Sequence, residues 1–77
     1  MDELTELRGE IDAIDRELTG LFRRRMDVTR RVGEYKLKHG LPVLDQARER
    51  QVLADKAALA GPDLAGAAVE LFQTIMA

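Results

Sequence analysis

The first half of the chain carries a long run of positions spaced alternately three and four residues apart. The run has ten positions, and nine of them are apolar or aromatic. They are Leu4, Leu7, Ile11, Ile14, Leu18, Leu21, Arg25, Val28, Val32 and Tyr35. This spacing is typical of the seam along which one long helix packs against another helix. We refer to these ten positions as the seam.

Arg25 is the one charged residue of the seam. Burying an arginine is strongly destabilising unless an anion meets its guanidinium. The position therefore predicts either a buried ion pair or a bound anionic ligand.

Helix-forming residues dominate the chain, which has two prolines and no cysteine. We expect an all-α fold with one long and two short helices, and neither a disulfide nor a thiolate metal site. Asp2 and Gly40 are expected to cap the first helix, and Gly61 with Pro62 to separate the second from the third. The expected helices cover about 3–39, 45–60 and 63–76 of a single domain, 1–77.

The length of the first helix predicts a dimer. About 37 helical residues span about 55 Å, whereas a compact globule of this size has a radius of gyration of about 11–12 Å. Two helices of about 15 residues are too short to cover such a rod. We therefore expect an intertwined, antiparallel homodimer in which a second copy buries the seam.

Charge is segregated along the first helix. Residues 1–22 carry seven acids and two bases, and residues 23–40 carry seven bases and two acids. This order matches the helix dipole, so we interpret Arg23, Arg24, Arg30 and Arg31 as a solvated face. A net charge of −2 with one Tyr and two Phe argues against a nucleic-acid partner. Without a signal peptide or an apolar run of membrane length, we expect a cytoplasmic protein with no membrane partner.

Two groups of polar residues are candidates for a site. Arg25 and Lys36 are 11 residues apart, so they project within about 20° of each other, about 16 Å apart along the helix. At the start of the second helix, Asp45, Arg48 and Glu49 share one face. For that group, helix capping with local ion pairing is the simpler reading.

Arg8 lies about 25 Å from Arg25 along the helix and about 100° around it. It cannot reach the same ligand from the same chain, but in an antiparallel dimer it reaches the site of the partner.

The chain lacks the residue sets of nucleophilic catalysis, a glycine-rich phosphate loop and metal-ligand spacing. We expect no metal and no cofactor. Fixed positive charges with two carboxylates suit the binding of a small polyanion and the stabilisation of charge that develops within it.

Four segments together resemble the all-helical (AroQ-type) chorismate mutases over nearly the whole chain. The segments are L-R-x-E-I-D-A-I-D, R-R-M-D-V-x-x-x-V-G-E-Y-K, G-L-P-V-L-D-x-x-R-E-R and L-F-Q-x-I-M. The resemblance implies an intertwined dimer that converts chorismate to prephenate by a Claisen rearrangement, on the route to phenylalanine and tyrosine. It also implies that the chain can be fused to, or associated with, another enzyme of that pathway.

The resemblance assigns roles to the candidate residues. Arg25 holds a substrate carboxylate, as does Arg8 from the partner chain. Lys36 contacts a carboxylate and the ether oxygen. Asp45 and Glu49 bind the ring hydroxyl region, and Arg48 completes the charged wall; the residues expected to be catalytic are Lys36, Arg25 and Glu49.

The same resemblance places a hydroxyl residue and an ether-binding glutamine beyond Ala77, and Gln73 is not that glutamine. We therefore expect either a fragment, cut short within the third helix, or a chain that has lost catalytic power. Two further alternatives are a related enzyme on the same scaffold, isochorismate pyruvate lyase or aminodeoxychorismate mutase, and a non-catalytic helical dimerisation module.

Overall fold

The computed structural model describes residues 2–77, so the first residue of the expected 1–77 domain lies outside this range. Within it the chain forms three helices and no strand. They are α1 (Glu3–Lys38), α2 (Gln46–Ala60) and α3 (Ala65–Met76). The predicted all-α class, with one long and two short helices, is confirmed.

Asp2 caps the start of α1, as predicted. Its backbone is extended, and its carboxylate accepts a hydrogen bond from the Thr5 N–H over 2.7 Å. That bond stabilises the ionised form, so it holds the pKa of Asp2 below its ordinary value. Glu3 and Glu6 add negative charge in the first turn, where the helix dipole favours it.

Glycines with positive φ end the first two helices. Gly40 follows α1 with φ +66°, and Gly61 follows α2 with φ +86°. Residues with a Cβ rarely adopt these conformations, which explains why glycine occupies both positions.

The third helix begins later than the predicted residue 63. Gly61 and Pro62 lead into a turn in which the Leu64 N–H donates to the Gly61 carbonyl over 3.2 Å. The N-cap is therefore Leu64, which supplies no side-chain cap, and the first helical residue is Ala65.

The described chain divides into two compact units: α1 with the segment that follows it to Val43, and Leu44–Ala77. In the second unit α2 packs against α3. Val52 of α2, 5% exposed, is the one buried residue in the described range. The Lys56 ammonium lies 6.0 Å from the ring centroid of Phe72 and so bridges the two helices.

The seam of α1 is exposed in the single chain. Its nine apolar or aromatic side chains are 46–60% exposed. A seam in this state is the face that the predicted second copy would cover, and the homodimer stays a prediction.

No helix in residues 2–77 combines the length and the apolar character that crossing a bilayer requires.

Candidate functional site

Three positions of α1 differ from the rest of the helix in their burial. Arg25, Gly33 and Lys36 are half-buried, whereas the other described residues of α1 are exposed. Arg25 and Lys36 are the two cations that the sequence places on one stripe of the helix. The shielded part of α1 is therefore the part that carries the predicted anion-binding residues.

Lys36 is fixed by the segment that follows α1. Its ammonium donates a hydrogen bond to the Val43 carbonyl over 3.2 Å. An ammonium has three donors, so this bond leaves the group capacity for two more. Lys36 can thus hold its position through Val43 and still bind an anion.

Asp45, Arg48 and Glu49 lie together at the first turn of α2. Asp45 is the N-cap, and its Oδ1 accepts from the Arg48 N–H over 3.0 Å. The Glu49 N–H donates to the Asp45 carbonyl over 3.1 Å. Glu49 is half-buried, and Asp45 and Arg48 are exposed. The prediction that Asp45 caps the second helix is therefore confirmed. The second carboxylate oxygen of Asp45 can still accept a hydrogen bond from a ligand.

The Arg48 side chain contacts a residue that the sequence did not single out. Its Nη1 donates to Gln51 Oε1 over 3.1 Å. Side chains three positions apart on a helix can contact each other. This spacing could have predicted the contact between Arg48 and Gln51 from the sequence. The contact restrains the guanidinium on the exposed side of α2.

Arg8 is exposed on α1, 17 positions before Arg25. Both residues belong to one continuous helix, which keeps them about 25 Å apart along its axis. The structure thus does not bring Arg8 to Arg25 within one chain. Its assignment to the partner's site stays a prediction.

The two groups of candidate residues belong to different units of the chain. Arg25 and Lys36 lie in the first unit, and Asp45, Arg48 and Glu49 lie in the second. The structure brings the members of each group together along one helix face or one helix turn. That both groups bind the same ligand stays a prediction.

The four arginines predicted to form a solvated face are all exposed: Arg23, Arg24, Arg30 and Arg31. Arg30 pairs with Asp27 at 2.9 Å and with Glu34 at 2.6 Å, and all three side chains are more than half exposed. Arg31 also contacts Asp27, at 3.3 Å. The hydrogen bond from Arg30 lowers the pKa of Asp27, and the same pairing raises the pKa of Arg30. Arg30 and Arg31 are therefore paired with carboxylates of the same helix.

Residues 7–77 match the family model described as chorismate mutase type II. The T-protein of Haemophilus influenzae is 37% identical over 76 residues, which are 99% of this chain and 20% of that protein. The bifunctional chorismate mutase/prephenate dehydratase of Aquifex aeolicus is 46% identical over 52 residues, 68% of this chain and 14% of that protein.

The 4-amino-4-deoxychorismate mutase of Streptomyces venezuelae is 40% identical over 57 residues, 74% of this chain and 54% of that protein. The matched region thus spans a fifth or less of the first two relatives and about half of the third. No solved structure matches the chain.

Proposed function

Since the chain belongs to the chorismate mutase type II family, we propose that it catalyses the rearrangement of chorismate to prephenate, in the biosynthesis of phenylalanine and tyrosine. The observation that carries this proposal is the half-burial of Arg25 and Lys36 on an otherwise exposed helix. Two shielded cations on one stripe suit a ligand that carries two carboxylates.

The reaction needs no nucleophile and no proton transfer, because it is unimolecular. In the transition state the C–O bond breaks ahead of C–C bond formation, so partial negative charge collects on the ether oxygen. A cation aimed at that oxygen before the charge develops stabilises the transition state more than the ground state. Lys36 has this role in the proposal.

The other residues position the substrate. Arg25 binds one carboxylate and, with Arg8, holds the enolpyruvyl arm over the ring in its reactive shape. Asp45 and Glu49 bind the ring hydroxyl region, and Arg48 closes the charged wall beside them. Support for the last three residues is their grouping at one turn of α2.

We also propose that the active form is an antiparallel homodimer, with Arg8 supplied in trans. Two observations support it. The seam is exposed, and burying each large aliphatic side chain of it would contribute on the order of 1 kcal/mol. Antiparallel pairing also places the acidic first half of one α1 beside the basic second half of the other.

The relatives support two extensions. The name of the Aquifex aeolicus relative joins the mutase to prephenate dehydratase, and we propose that this chain likewise works with another enzyme of the pathway, in the cytoplasm. The similarity to 4-amino-4-deoxychorismate mutase favours that activity as the second candidate.

The test is an assay of purified protein with chorismate, with prephenate identified by its conversion to phenylpyruvate in acid. Parallel reactions contain 4-amino-4-deoxychorismate or isochorismate. Saturable prephenate formation that Arg25→Ala abolishes supports the proposal. Turnover of the amino compound alone would replace it with the second candidate, and pyruvate release from isochorismate would identify a lyase. A folded dimer that binds and converts none of the three would leave a non-catalytic dimerisation module.

A further inference from the structure

The segment after α1 holds Lys36 at two points. Its backbone carbonyl accepts a hydrogen bond from the Leu41 N–H over 2.8 Å. Its ammonium donates to the Val43 carbonyl over 3.2 Å. One residue is thus tied through its main chain and its side chain to the same short connector, residues 39–43.

The backbone part of this arrangement is a Schellman motif. The Gly40 N–H donates to the Leu37 carbonyl over 3.4 Å, and the Leu41 bond to Lys36 completes the pair of bonds that defines the motif. Gly40 occupies the position that requires the left-handed conformation, with φ +66°. A side chain at this position would strain the reversal, since L-residues with a Cβ disfavour such φ values.

The reversal decides where the Val43 carbonyl lies. After Gly40 the chain runs back past the last turn of α1, which brings a carbonyl seven positions along within reach of the Lys36 side chain. Pro42 fixes its own φ and keeps Leu41 out of the helical region, so few paths are open between the motif and Val43.

Holding the ammonium matters because a lysine head group sits on a flexible four-carbon stem. A charge that must first be ordered contributes less to a transition state than one that is already aimed. The bond to Val43 orders the stem while leaving N–H donors for a ligand.

We infer that Gly40 is a positioning residue for Lys36. Its left-handed conformation, acting through the Schellman motif and the Val43 carbonyl, aims the ammonium at the oxygen on which charge develops. The catalytic consequence rests on the proposed function, whereas the ordering of the ammonium does not.

The test compares Gly40→Ala, Gly40→Asn and Gly61→Ala. Alanine strains the left-handed position, whereas asparagine tolerates it and serves as the conservative rescue. Gly61→Ala is the matched control, because it strains a positive φ after a different helix. For Gly40→Ala we expect kcat per folded protein to fall on the order of tenfold, with KM changed much less. Gly40→Asn should restore kcat, and Gly61→Ala should lower thermal stability without lowering kcat per folded protein.

A second readout is independent of turnover. The chain has three lysines, Lys36, Lys38 and Lys56, so the ammonium nitrogens are simple to assign by nitrogen-15 NMR. Hydrogen exchange at the Lys36 ammonium should be slower than at the exposed Lys38 in the wild type and in Gly40→Asn, and should rise to the Lys38 rate in Gly40→Ala. Equal exchange at both lysines in the wild type would overturn the inference, as would an unchanged Lys36 rate in Gly40→Ala. A wild type that orders Lys36 but converts no chorismate would support the positioning and overturn only the proposed reaction.

Discussion

The backbone N–H of Arg48 donates to Oδ1 of Asp45 over 3.0 Å, so a carboxylate proposed to bind substrate also caps the helix on which it lies. One oxygen of Asp45 serves the fold, and the proposal gives the other to the ligand. Different substitutions of Asp45 can therefore separate its role in capping the helix from its proposed role in binding substrate.

Asp45→Asn is expected to preserve α2 while weakening substrate binding. Asparagine caps a helix about as well as aspartate, so the unfolding midpoint should change little, whereas Asp45→Ala should lose about 1 kcal/mol of stability. Urea unfolding followed by circular dichroism measures the first effect, and KM for chorismate measures the second. An unchanged KM in both variants would remove Asp45 from the site and leave it a cap alone.

Arg25→Met is expected to abolish turnover and to leave stability unchanged or improved. The proposed dimer buries the seam, and replacing buried charged groups by apolar side chains is often neutral or stabilising. The matched control is Arg23→Met, an exposed arginine on the same helix. Turnover and the free energy of unfolding should be measured on both variants. If Arg25→Met instead destabilised the protein strongly, the guanidinium would serve a structural ion pair.

Mixing two inactive variants tests whether Arg8 acts in trans. In a heterodimer of Arg8→Ala with Lys36→Ala, one of the two sites receives an intact Arg8 and an intact Lys36. A mixture at equal concentrations that reassorts freely should therefore regain about a quarter of the wild-type activity. If both residues act within one chain, every site in the mixture is defective. Mixtures that stay inactive after reassortment would contradict the proposed dimer site.

Lys36→Ala is expected to lower kcat by about 10²–10³, the usual effect of removing one preorganised donor at a developing oxyanion. Lys38→Ala is the control, since Lys38 is an exposed cation two positions away. Sedimentation of both variants checks that the association state is unchanged. Near-normal turnover of Lys36→Ala would exclude this lysine from the chemistry.

Acid should weaken the start of α1 through Asp2. Because the Thr5 N–H lowers the pKa of Asp2 in the folded state, the cap stabilises the fold above the pKa of the unfolded chain. That contribution is lost as the pH falls through the lower, folded value. Below about pH 4, the wild type should lose helical signal more steeply than Asp2→Asn, whose cap does not titrate. Asp12→Asn, which removes an exposed carboxylate within α1, is the control. Its helical signal should fall with pH in the same way as that of the wild type.

Sequence patterns predicted most of the helix boundaries because the caps are local. Asp2, Asp45 and the two positive-φ glycines each act on residues within one turn, so their effect can be read from neighbouring positions. The start of α3 was harder to predict. Asp63 is a good capping residue, but the turn set by Gly61 and Pro62 ends one position later, at Leu64.

Sequence spacing alone does not decide which face of α3 is shielded. Five apolar residues have the spacing of one helical stripe: Leu64, Ala68, Leu71, Phe72 and Ile75. Leu64 and Leu71 are in fact 61% and 49% exposed, whereas Ala65, Val69 and Met76 are half-buried. The helix is apolar on most of its circumference, so periodicity alone does not choose which stripe meets α2.

The bond between Lys36 and Val43 could not be predicted either. It depends on the path of the chain after Gly40, and no spacing rule relates a lysine to a carbonyl seven positions away. The sequence did predict that Lys36 shares a stripe with Arg25, because helical periodicity alone decides that relation.

With Val52 as its one buried residue, the described chain has almost no interior of its own. In the proposed homodimer, stability depends on protein concentration as well as on sequence, because the burial that a second copy contributes is lost when the dimer dissociates. We expect dilution to destabilise the protein, so its melting temperature should rise with protein concentration across the micromolar range. The amount of protein that a cell makes would accordingly help to decide whether the chain is folded at all.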